Sequence, residues 1–194
     1  MRDLLDRIST PAWPGVAALD EAFAPELRPV GIRLIDAPKT KAALAADGTI
    51  DPASLYEVRI ADRGEVPTRP HNLHDLLNAV VWAAFPQSKL ALTRRLAEIQ
   101  RARATGRATL PSARSREHDR LAMIDEGAVL YVGGQAWIFG HAIYEHAYEG
   151  RLDIRGGAVD LEVAEPARGA IDRAFAVVDF ATAMRSGPGV AIDD

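Results

Sequence analysis

The chain has 194 residues and a formal net charge of −4, with 48% hydrophobic and 26% charged residues and no cysteine. That length suits one domain whose core needs no staples. The composition excludes collagen-like, disordered and disulfide-framework classes, and the missing cysteines exclude a thiol nucleophile or a thiolate-held metal. The mild total hides an asymmetry. Lys89 to Arg120 holds nine basic and three acidic residues, an excess of +6, so the remaining 162 residues carry −10.

Residues 1–30 read as an N-terminal arm of helix-prone pieces punctuated by Pro11, Pro14, Pro25 and Pro29, with Trp13 as its anchor. Charge alternates with apolar residues in Met1 to Ile8, so no signal peptide is expected there, and no stretch approaches the ~20 apolar residues of a membrane span. A cytoplasmic protein without a membrane partner follows as the expectation. Gly31 to Ile35 reads as a strand, Pro38 to Ala46 as a short helix, and Tyr56 to Ile60, which alternates with period two, as a second strand. Gly64 to Pro70 reads as a loop. Asn72 to Phe85 is expected to be helical. Pro86 interrupts, and a second helix runs from Gln87 to about Thr105, followed by a polar loop to Ser115. Leu121 to Ile124 and Ala128 to Val132 suggest a β-hairpin around Asp125-Glu126-Gly127. Gly140 to Glu149 reads as a helix, Leu152 to Ile154 with Val159 to Val163 as a second hairpin, and Ile171 to Met184 as a last helix. Residues 186–194 read as a flexible tail. The expected class is α+β: a helix-rich single domain over residues 31–185, with short strands and β-hairpins.

The chemistry concentrates in His71-Asn-Leu-His74-Asp75-Leu-Leu-Asn78. Positions 71, 74, 75 and 78 share one helical face, while the rest of the helix is almost wholly apolar. Such a stripe faces a pocket or a buried hydrogen-bond network, because an unpaired polar group inside costs about 1–3 kcal/mol. On the site reading His74 is the acid/base, Asp75 its orienter or a metal ligand, and Asn78 positions a ligand. The bland reading is capping and a structural network. A second pair, His141 and Glu145, lies four apart and can share a helix face, either as two metal ligands or as a pair that steadies the helix. Asp119, Asp125 and Glu126 could hold Mg²⁺ or serve as acid and base, yet Asp125-Glu126-Gly127 also suits a turn that needs no function. The basic segment could track a phosphate backbone, but no aromatic residue lies between Phe85 and Tyr131, so nucleic acid is the lesser expectation. No phosphate-cradling glycine loop, dinucleotide fingerprint, serine nucleophile elbow or HExxH is present.

Several of these pieces occur together and in order. They are Tyr56-Glu-Val-Arg-Ile60, Gly64-Glu-Val-Pro-Thr-Arg69, His74-Asp75-Leu-Leu-Asn78-Ala-Val-Val-Trp82, Phe85-Pro-Gln-Ser-Lys89, Arg116-Glu-His-Asp119, Asp125-Glu-Gly127 and Phe139-Gly-His141-Ala-Ile-Tyr-Glu145. Over roughly residues 50–150 the chain resembles the family called domain of unknown function 3025. The resemblance implies a bacterial, cytoplasmic protein and supplies no reaction. The leading expectation is a hydrolase-like pocket for a small anionic or phosphate-containing ligand. His74, Asp75, Asn78, His141 and Glu145 would do the chemistry, and Arg69, Lys89 and Arg116 would neutralise the ligand. The rival is a non-catalytic binding or scaffold protein whose polar residues form a satisfied buried network. Metal, cofactor and oligomeric state are left open by the sequence.

Overall fold

A computed structural model describes residues 1–8, 12–38, 42–151 and 156–186. Its elements in chain order begin with α1 (Arg2–Ile8), α2 (Val16–Ala22), α3 (Ala24–Leu27), β1 (Arg33–Asp36), α4 (Tyr56–Arg63) and β2 (Glu65–Thr68). The middle comprises α5 (Leu73–Ala84), α6 (Pro86–Ala104), α7 (Arg116–Gly127), β3 (Ala128–Val132), β4 (Gln135–Ile138) and α8 (His141–Tyr148). The last described elements are β5 (Gly157–Leu161), α9 (Arg168–Phe175), α10 (Phe180–Ala183) and β6 (Arg185–Ser186). The protein is a helix-rich α+β domain. Strands β1 and β2 form a parallel pair, and a second sheet runs in the order β4-β3-β5-β6, antiparallel except between β3 and β5. No helix among the described residues is long and apolar enough to cross a membrane.

Helix α5 organises the core. Asn72 caps it by accepting from the backbone N–H of Asp75 at 3.0 Å, and the chain breaks out at Phe85, where Pro86 opens α6 in the one position that wastes no donor. Val80, Val81, Trp82 and Phe85 are fully enclosed, each worth about 1.5–3 kcal/mol of transfer free energy. The start of α6 is capped from a distance. Asp172 of α9 accepts from the backbone N–H groups of Gln87 (3.1 Å) and Ser88 (2.8 Å). Phe85, Phe139, Phe175 and Phe180 form a row of tilted and edge-on rings 4.9–5.6 Å apart, which pins the segment leading into α8. The N-terminal helices join the same core through Leu4, Phe23 and Leu27. Trp13, expected as an anchor, keeps 39% of its surface exposed and lies against the ring of His71.

Several expected elements differ. Tyr56 to Ile60 is helix rather than strand, since five residues cannot separate a period of two from one of 3.6. The helix runs on to Gly64, whose φ of 66° ends it in the left-handed region and whose missing Cβ lets the Gly31 carbonyl approach. The strand lies just beyond, in the segment expected to be a loop. Pro67 is tolerated there because β2 has a partner on one side only. Leu121 to Gly127 is the end of α7, begun by Ser115, whose hydroxyl accepts from the His118 backbone N–H at 3.1 Å. The hairpin therefore shifts downstream to β3–β4 and turns at Gly133-Gly134, both at positive φ. The last helix is two, because Asp179 starts α10 afresh by accepting from the Ala181 N–H. Strand β5 pairs in parallel with β3, while the proposed hairpin mate at 152–154 lies outside the described residues. So do residues 39–41 of the expected helix at 38–46, whose described part is not helical and bridges Leu44 to Ile50. Residues 187–194 of the expected tail are also outside.

Candidate metal centre

Helices α5 and α8 pack side by side, and the end of α7 closes against the start of α8. Gly140 makes that closure possible. A Cβ there would sit 2.4 Å from the Glu126 carbonyl oxygen and from the Gly127 backbone. The close approach sets Glu126, at the end of α7, beside His141, the first residue of α8.

Three side chains converge at this junction. His74 Nε2 and His141 Nε2 are 3.1 Å apart, and Glu126 Oε2 lies 3.3 Å from His141 Nε2. The three donor atoms fall within 4.8 Å of one another. The other nitrogen of each ring is engaged from behind. His74 Nδ1 faces Glu145 Oε2 at 3.0 Å, and His141 Nδ1 faces the Asp125 carbonyl oxygen at 2.9 Å. An ionised carboxylate and a carbonyl only accept, so each Nδ1 carries the proton. Burial, opposed by the Asp125 charge and reinforced by Lys89, pushes His141 down to about 4, and its imidazole is neutral. Its Nε2 is then an acceptor, turned toward a second ring nitrogen and a carboxylate oxygen. A lone pair so placed can take a proton from the facing ring or a cation lying among the three atoms.

The spacing suits an ion. At the usual metal–nitrogen distance of about 2.0–2.1 Å, nitrogens 3.1 Å apart subtend about 100° at a shared metal. That angle falls between octahedral and tetrahedral geometry. His141 is 3% exposed, His74 28% and Glu126 51%, so one side of the centre is open. An apolar cleft of about 450 Å³, lined by Met123, Gly127, Ala142, Ile143 and His146, opens beside Glu126.

Behind the histidines runs a buried chain. Lys89, 2% exposed, donates to Asn78 Oδ1 at 2.9 Å and to Asp125 Oδ1 at 2.5 Å, with its ammonium 5.5 Å from the Trp82 ring centre. Burial raises the Asp125 carboxyl, the Lys89 charge and hydrogen bond lower it, and the net shift is downward, so Asp125 is ionised. Asp125, Glu126 and Glu145 thus bring three carboxylates to the two rings, with Lys89 paired to Asp125.

The remaining expected site residues lie elsewhere or have other employment. Asp75 turns away from His74. Its carboxylate takes a forked pair from Arg69 at 2.8 and 3.0 Å and the Arg69 backbone N–H at 2.9 Å. Asn78 receives Lys89 and hydrogen-bonds Tyr56, whose phenol is pushed up by burial. Arg116 is exposed at the start of α7, ten residues or about 15 Å of helix from Glu126. Glu126, weighed in the sequence only within the Asp119, Asp125 and Glu126 group, is the donor that joins the two histidines. Its signal was Ser115 as a helix cap, which places residue 126 at a helix end instead of in a turn. Much of the basic segment is spent on ordinary pairing. Arg95 meets Glu98 and Glu117, Arg101 meets Asp62, and Arg103 reaches His118 and the Pro111 and Ala113 carbonyls.

Residues 43–136 match the family described as "Protein of unknown function (DUF3025)". No curated protein matches. A solved structure described as phenylalanine hydroxylase from the human pathogen Legionella pneumophila is similar with a TM-score of 0.46 and 10% identity, over 79% of this chain and 67% of that one.

Proposed function

We propose that this chain is a metal-dependent enzyme whose centre is one divalent transition-metal ion between His74 and His141, with Glu126 as the third donor, and that its reaction is hydrolytic. The observation that carries the reading is the pair of Nε2 atoms facing each other at 3.1 Å while both Nδ1 atoms are occupied from behind. Two imidazoles and one carboxylate make a donor set that leaves coordination positions for water and substrate. A bound ion supplies Lewis acidity, polarising a substrate oxygen and making coordinated water acidic enough to react near neutral pH. The protein's own groups fix the two imidazoles, keep His141 neutral and leave the Glu126 side open to the cleft. Arg69 and Lys89 are already committed to Asp75 and to Asn78 with Asp125. An anionic ligand would therefore be held by the ion rather than by these cations.

The rival reading, a centre that only holds the fold together, draws on the fully buried and paired Lys89. Turnover separates the two. Protein reconstituted with zinc or iron(II) is assayed on chromogenic carboxylic and phosphate esters, alongside His74→Ala and a chelated sample. The enzyme reading expects turnover that chelation removes, metal restores and His74→Ala lacks. Equal rates in chelated and loaded protein would contradict it.

A further inference from the structure

The two histidines present the same atom to the centre but are held by unlike acceptors. His141 Nδ1 donates to a neutral backbone carbonyl, that of Asp125, at 2.9 Å. His74 Nδ1 donates to a carboxylate, Glu145 Oε2, at 3.0 Å. A hydrogen bond to an ionised acceptor is roughly twice as strong as a neutral one, and it draws the ring proton outward, so the opposite nitrogen becomes the better electron donor. Glu145 stands behind the His74 ring, on the side away from the Nε2 that meets His141, and it is not among the three converging donors. It also lies one helical turn beyond His141 on α8. One short helix thus contributes a metal-facing nitrogen itself and the group that aims the other, which comes from α5.

We propose that Glu145 is a positioning residue of the metal centre: its carboxylate fixes the tautomer and direction of His74 and sets the affinity of the centre for its ion. This inference rests on the metal reading above. It separates the residues assigned to chemistry into those that would touch the ion (His74, His141 and Glu126) and one that acts through His74.

The test uses cobalt(II) as the probe, with affinity measured by chelator competition and the visible absorption recorded for wild type, Glu145→Gln and Glu145→Ala. Glutamine keeps an acceptor of the same reach and removes the charge, while alanine removes both. The expected order of affinity is wild type, then Gln, then Ala, with Ala about 10–100-fold weaker than wild type. One cobalt per chain is expected in all three. The Gln variant should show a displaced cobalt absorption with an unchanged melting temperature for the metal-free protein, a combination that a purely structural role for Glu145 would not produce. Cobalt affinity in Glu145→Ala within about twofold of wild type would overturn the proposal while leaving the metal reading intact. Loss of stoichiometric binding in Glu145→Gln at saturating cobalt would make Glu145 a ligand and overturn it as well. Failure of the wild type to bind cobalt at all would overturn the metal reading and this inference together.

Discussion

His74 and Asp75 are neighbours on α5, yet they belong to two regions built on opposite principles. Around Asp75 the donors and acceptors balance. The carboxylate, 4% exposed, takes both prongs of Arg69 and a backbone N–H, and Asn72 caps the helix beside it. Around His74 the groups converge instead of pairing off. Two ring nitrogens and a carboxylate oxygen lie about one point, with Glu145 and the Asp125 carbonyl behind the rings. A balanced cluster is finished when the chain folds. A convergent one leaves room for a cation, and the comparison teaches that a polar residue in an apolar helix is informative only once its surroundings are known.

The first way to break this comparison is to remove the buried cation behind the histidines. Lys89→Met leaves Asp125 without its ammonium beside the buried chain and should cost about 3 kcal/mol or more by urea unfolding. A loss under about 1 kcal/mol would mean that the lysine holds little in place. Asp75→Ala strands the Arg69 fork and one backbone N–H. It should cost about 2–3 kcal/mol, while the folded protein keeps its metal affinity. His74→Ala is the mirror image: stability of the metal-free protein within about 1 kcal/mol of wild type, because the ring is only partly buried, with metal binding abolished. If Asp75→Ala loses the metal and His74→Ala loses the fold, the two regions have been assigned the wrong way round. Asp172→Ala removes the long-range cap of α6 and should cost about 1–2 kcal/mol in the same assay.

The smallest effect concerns pH. His118 is held below its ordinary 6.5 by burial and then by the Arg103 charge, and its Nδ1 receives the Arg103 guanidinium at 3.0 Å. The folded chain resists the proton that the unfolded chain accepts. The contribution is therefore intact above pH 6.5 and is lost as pH falls below it toward the depressed value in the folded state. Unfolding measured between pH 7 and 5 should show a shallower acid loss in His118→Gln than in wild type.

Much of the site was legible in the sequence because helical spacing reports faces directly. His74, His141 and Glu145 were expected on two helices and do meet across α5 and α8. The spacing could not say which way Asp75 would turn. That depended on Arg69, six residues earlier and off the helix. Glu126 was hidden by local ambiguity, since Asp125-Glu126-Gly127 is good turn chemistry and only the cap at Ser115, eleven positions upstream, argues for a helix end. The strand at Glu65 to Thr68 was masked by Pro67, which a two-stranded pair accommodates at its free edge. Pairings between distant segments, such as Asp172 with Ser88 or β5 with β3, leave no periodic mark at all.

The central claim is that the junction of α5, α7 and α8 takes one divalent ion. Elemental analysis of protein equilibrated with zinc and then dialysed tests it most directly, for wild type beside His74→Ala and His141→Ala. The account predicts one equivalent in wild type and none in either variant, with wild-type melting raised by the bound metal. Zinc-free wild type, or an equivalent retained when both histidines are replaced together, would contradict it.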